Sequence, residues 1–85
     1  MDRLTAMQAY VRVVEAGTFT KAADFLGVPK AQVTRLVQSL EAELKTLLLN
    51  RTTRRVTVTA DGAAYYDRAV RVLDEIDEIE SSMRD

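Results

Sequence analysis

Lys30, Gln32, Thr34 and Arg35 stand close together at the front of a segment, residues 28–41, whose apolar positions Val33, Leu36, Val37 and Leu40 continue to Leu44 with helical spacing. A helix that buries this stripe turns those four side chains, and Gln38 a turn later, away from it. They are side chains that suit base edges. Lys and Arg match guanine O6 and N7, Gln matches adenine N6 and N7, and a Thr can bond a base edge or phosphate while its methyl meets a thymine methyl. A merely solvated polar face satisfies the same pattern, so the surrounding elements must decide.

Other chemistry has little to work with. The chain has no histidine and no cysteine, which removes the usual general base, the thiol nucleophile and the soft metal ligands. Gly17, Gly27 and Gly62 are isolated and form no phosphate-cradling loop. An enzyme is not expected, and neither is a metal or a cofactor.

The net charge of −1 conceals a division along the chain. Residues 18–59 hold seven basic residues against three acids, a net of +4, whereas residues 60–85 hold three against eight, a net of −5. A cationic working surface with an anionic extension kept away from it fits that division. At 85 residues the chain is one small domain, for which a partner subunit would help stability. No apolar run is long enough to span a membrane, and the polar start after Met1 is unlike a secretory signal. A cytosolic protein without membrane contact is expected, and the lack of cysteine agrees with that.

The elements that would position the polar face can be read from caps and periodicity. Asp2 caps a first helix over about residues 3–16, with Leu4, Met7, Tyr10, Val11 and Val14 on its apolar side and Gly17 as its left-handed stop. Thr18 caps a short second helix ending near Gly27, in which Ala22 and Ala23 permit close helix packing. Pro29 falls in the first turn of the third helix, which runs to Leu44 or Lys45. Two helices joined by a short Gly-containing turn form a helix-turn-helix.

Leu47, Leu48 and Leu49 and the alternating Val56, Thr57, Val58 and Thr59 read as two strands around residues 50–55. A hairpin tipped with Arg51, Arg54 and Arg55 resembles the wing of a winged helix, although a charged edge that blocks sheet aggregation would look alike. Thr59 caps a last helix over about residues 60–83. Its Tyr65, Ala69, Val72, Ile76, Ile79 and Met83 alternate spacings of four and three, a coiled-coil seam that favours self-association over folding back on the domain. Tyr66 and Leu73 widen the stripe in its first half, where it also covers the core.

The run from Gly17 to Ala23, then Leu26-Gly27-Val28, then Val33 to Glu41, then Leu48-Leu49-Asn50-Arg51, then Val58-Thr59-Ala60-Asp61-Gly62 resembles the amino-terminal domain of LysR-type bacterial transcriptional regulators. The resemblance spans essentially the whole chain. It implies a mainly α fold, a winged helix-turn-helix of three helices and a two-stranded β wing over residues 1–59, followed by a long dimerisation helix over residues 60–85. The effector-binding domain that normally follows in such regulators is not among these residues, so a small-molecule effector would act only through it.

By position, the resemblance implies that Lys30, Ala31, Gln32, Thr34 and Arg35 face the DNA major groove; Gln38, a full turn beyond Thr34, reads as a phosphate or solvent contact. Thr18 and Thr20 would meet phosphate, and Arg51, Thr52, Thr53, Arg54 and the adjacent Arg55 would lie in or beside the wing. Three departures stand out: Pro29 for a capping Ser, Lys45 for the usual Gly, and Leu49 for a common Phe. The function implied is sequence-specific binding of double-stranded DNA as a homodimer on an inverted repeat. The rival is a winged-helix protein-interaction module that uses the coiled-coil helix to engage another protein.

Overall fold

The computed structural model describes residues 2–51 and 55–84. Helices α1 (Arg3–Ala16), α2 (Phe19–Leu26) and α3 (Lys30–Leu44) precede strands β1 (Leu49–Asn50) and β2 (Thr57–Val58), and α4 (Ala60–Arg84) follows. The mainly α class, the three-helix head, the two-stranded wing and the long last helix agree with the reading of the sequence.

Local chemistry sets the boundaries. The Asp2 carboxylate accepts from Leu4 N at 3.1 Å and from the Thr5 hydroxyl at 2.6 Å, satisfying a first-turn amide. The Thr5 bond is the main reason the Asp2 carboxyl lies below its ordinary range. Gly17 and Gly27 end α1 and α2 in the left-handed region, where a side chain is disfavoured. Pro29 occupies the N-cap of α3, one residue outside the helical turn expected for it, and its extended backbone (φ −62°, ψ 145°) leaves the cap without a side-chain hydrogen bond.

Lys45 ends α3 at φ 55°, the left-handed position that glycine fills without strain. Lys45→Gly should therefore raise stability by about 0.5–1 kcal/mol, net of the extra chain entropy of glycine. Thermal denaturation followed by circular dichroism would show it, and an unchanged or lower midpoint would mean the lysine is held by something other than its backbone.

The core gathers Ala6, Ala9, Tyr10 and Val13 of α1, Ala22 and Ala23 of α2, Val33, Val37 and Leu40 of α3, and Leu48 and Leu49. The buried alanine pair lets α2 pack closely against the core. The strands are shorter than the two apolar runs suggested: Leu49 pairs with Val58 and Asn50 with Thr57, while Leu47 is 66% exposed and unpaired. Val56 N reaches the Gly17 carbonyl at 3.2 Å and ties the wing base to the α1–α2 turn.

Tyr10 joins three segments. Its hydroxyl lies 2.9 Å from the Gly62 carbonyl oxygen and 3.2 Å from that of Leu48, so its single proton is shared between them. Burial, then the Glu41 charge, push its hydroxyl up to about 12. Its ring meets Tyr65 edge-on at 5.5 Å.

That contact divides the expected seam. Tyr65 and the fully buried Ala69 face the domain's own core rather than a partner, because α4 lies against α1 over its first turns. Val72, Ile79 and Met83 remain 45%, 53% and 80% exposed, and Ile76 is half-buried. The apolar stripe thus changes its task partway along α4, from covering the core to facing outward.

Candidate nucleic-acid interface

α3 buries Val33, Val37 and Leu40 and leaves Lys30, Ala31, Gln32, Arg35 and Gln38 exposed, with Thr34 half-buried between them. The polar face inferred from spacing is thus a real surface. The Thr34 hydroxyl donates to the Lys30 carbonyl at 3.1 Å. Its proton is engaged within the helix, and its lone pairs remain free to accept from a base amino group.

Beside this face opens a cleft of about 550 Å³ lined by Thr18, Phe19, Thr20, Lys21, Lys30, Thr34, Arg51 and Val56. Three elements therefore converge on one place: the start of α2, the start of α3 and the base of the wing. The Thr18 hydroxyl accepts from Lys21 N at 3.1 Å as the N-cap of α2, so its own proton is available to an anion. The partial positive charge at the α2 N-terminus adds to the ammonium groups of Lys21 and Lys30 and the Arg51 guanidinium. Cations, a helix terminus and hydroxyl donors around an open cleft are the chemistry of a phosphate seat.

Residues identified from the sequence separate into groups in space. Thr18, Thr20, Lys30, Thr34 and Arg51 share the cleft, while Gln38 lines an adjoining surface with Ala42, Lys45 and Leu47 that Arg51 also borders. Arg55 is exposed at the wing base. Thr52, Thr53 and Arg54, assigned to the wing, lie outside the described residues.

Two participants were missed. Lys21 follows the Thr18 cap by three residues, a spacing that places it in the first turn of α2 and against the cleft. Glu41 stands four residues after Val37 and eight after Val33, on the buried stripe of α3, so helical spacing alone could have marked it as an inward carboxylate. It is 6% exposed, and its carboxylate accepts from Leu48 N, Leu49 N and the Arg51 guanidinium.

Among the described residues no group of three or more His, Cys, Asp or Glu side chains is arranged to hold a metal ion. No described helix is long and apolar enough to cross a membrane.

The chain resembles known regulators along nearly its full length. It is 54% identical over 84 residues to an HTH-type transcriptional repressor of Pseudomonas aeruginosa, covering 99% of this chain and 26% of that protein. It is 43% identical over 77 residues to the HTH-type transcriptional regulator CrgA of Neisseria meningitidis, covering 91% and 26%. The chain therefore spans about a quarter of the length of these relatives. Among solved structures, the BenM DNA-binding domain in complex with benA site 1 DNA superposes with a TM-score of 0.92 at 37% identity, covering 99% of this chain and 96% of that one. The CbnR DNA-binding domain–DNA complex gives 0.89 at 33% identity, covering 99% and 95%. The model of the bacterial regulatory helix-turn-helix proteins of the lysR family matches residues 4–63, and the chain belongs to that family.

Proposed function

We propose that this chain binds duplex DNA sequence-specifically as the operator-reading part of a LysR-type transcriptional regulator, acting as a homodimer on an inverted repeat. The observation that carries the reading is the placement of the exposed Lys30, Gln32 and Arg35 face of α3 beside the cationic cleft formed with Thr18, Lys21 and Arg51. The α3 face reads base edges in the major groove, and the cleft seats a backbone phosphate that holds the helix in register. Residues 1–59 form the reading head, and residues 60–85 the helix that pairs two heads. The DNA complexes of the BenM and CbnR domains, which share this fold, support the assignment.

The outward half of α4, with Val72, Ile79 and Met83 exposed among acids, supports pairing of two copies. Two recognition helices related by a two-fold axis then enter successive major grooves. The role requires access to the chromosome, hence a cytoplasmic location. An effector, if one regulates the protein, acts through a domain beyond these residues. A module that bound only protein would leave the cationic cleft without a purpose.

Selection of bound sites from random duplex DNA tests the reading: an enriched inverted repeat is expected, and failure to enrich any sequence refutes it. Against the enriched site, Arg35→Ala should weaken binding by about 1–3 kcal/mol and relax preference at one base position. A uniform loss on all sequences would move Arg35 from base reading to phosphate contact.

A further inference from the structure

Glu41 is the sole buried charged side chain among the described residues, and its two oxygens have different tasks. Oε2 accepts from Leu48 N at 2.8 Å and from Leu49 N at 3.2 Å, whereas Oε1 accepts from Nη2 of Arg51 at 2.8 Å. The two amide bonds need only an acceptor, which a neutral glutamine would also provide. A buried charge is costly to desolvate, and the feature at this site that calls for it is the Arg51 guanidinium.

The guanidinium carbon of Arg51 also lies 5.8 Å from the centroid of the Phe19 ring. Contact with a carboxylate and an aromatic ring restricts a side chain of large rotamer freedom, and it lines the cleft that also holds Thr18, Thr20 and Lys30. We propose that Glu41 is the positioning residue that aims Arg51 at a backbone phosphate, so that α3 and the end of β1 engage DNA together; this rests on the DNA-binding reading above. The carboxylate does not touch DNA. It removes before binding the freedom that Arg51 would otherwise lose on contact.

Charge alone predicts the opposite sign. A negative charge beneath a DNA-facing surface repels phosphate, so neutralising it should strengthen binding if Glu41 did nothing else. Glu41→Gln separates the two, because its carbonyl oxygen can keep both amide bonds while its NH2 group cannot accept from Arg51.

The test measures fluorescence anisotropy of a labelled random-sequence duplex with the wild type, Glu41→Gln, Arg51→Met and the double variant, with folding checked by circular dichroism. Glu41→Gln should weaken binding about 5- to 10-fold, and less than about 2-fold in the Arg51→Met background. Binding as tight as wild type, or an equal loss in both backgrounds, overturns the proposal. Should Glu41→Gln fail to fold, Arg51→Lys leaves Glu41 untouched and keeps the charge. A loss of about 5-fold or more is then expected, because a lysine cannot serve carboxylate and phosphate from one fixed fork, and unchanged binding overturns the proposal. Absence of binding by the wild type would instead refute the DNA-binding reading and this inference with it.

Discussion

Gly62→Ala should destabilise the domain by about 3 kcal/mol and lower its thermal midpoint by roughly 12–24 °C. A Cβ added at Gly62 would stand 2.0 Å from the Leu48 carbonyl oxygen and 2.7 Å from the Tyr10 hydroxyl. The first neighbour is backbone and cannot swing aside, so the start of α4 must move. Moving it breaks the hydrogen bond that Tyr10 shares between Gly62 and Leu48, worth about 1 kcal/mol, and disturbs the Tyr10–Tyr65 contact. Alanine's better helix propensity returns at most about 1 kcal/mol, so the clash prevails. Thr59, which donates to the Leu47 carbonyl at 2.7 Å and accepts from Gly62 N at 2.9 Å, would be displaced with it. Because a domain of 85 residues is stable by roughly 4–13 kcal/mol, much of the margin goes. Thermal and urea unfolding would measure the loss. A shift of only a few degrees would show that α4 slides past Leu48 freely, contrary to the tight packing found.

What the chain reveals before folding is mostly local. Asp2, Gly17, Thr18, Gly27 and Thr59 act within a turn of themselves, and each ends or begins a helix where its chemistry indicates. That α3 stops near Lys45 was legible too, but its left-handed backbone was not: the resemblance, which has Gly there, left a strained lysine and a differently ended helix both open. Contacts across the chain were not legible. Nothing beside Tyr10 in sequence shows that its hydroxyl meets Gly62, 52 residues away, and although Tyr66 and Leu73 mark the first half of α4 as covering the core, the heptad rhythm alone does not separate Tyr65 and Ala69 from the outward Ile79. Periodicity shows which residues share a stripe, and the tertiary fold decides what covers it. The interface divides in the same way. Lys30, Gln32 and Arg35 were visible as a polar helix face, whereas the cleft that unites Thr18, Lys21 and Arg51 exists only once α2 and the wing are folded together.

Ile79→Asp should reduce affinity for an inverted-repeat operator by about 10²- to 10⁴-fold while leaving the fold of each domain intact. The size follows from linkage. When two heads are joined, the second binds at the effective concentration set by the first, and a monomer loses that advantage without losing a single DNA contact. Ile79 is chosen because it is 53% exposed and lies beyond the part of α4 that covers the core, whereas the half-buried Ile76 borders the groove against α1 with Val11 and Leu26. A change at Ile76 would mix folding with pairing. An aspartate at position 79 places an unpaired charge in the apolar seam between Val72 and Met83, among Asp77, Glu78 and Glu80 that already repel it. Sedimentation should show a monomer with an unchanged thermal midpoint when extrapolated to low protein concentration. Binding to a single half-site should match the wild type, since Lys30, Arg35 and the cationic cleft are untouched. A variant that still sedimented as a dimer would move pairing away from this seam, and one that lost half-site binding as well would show that α4 supports the reading head itself.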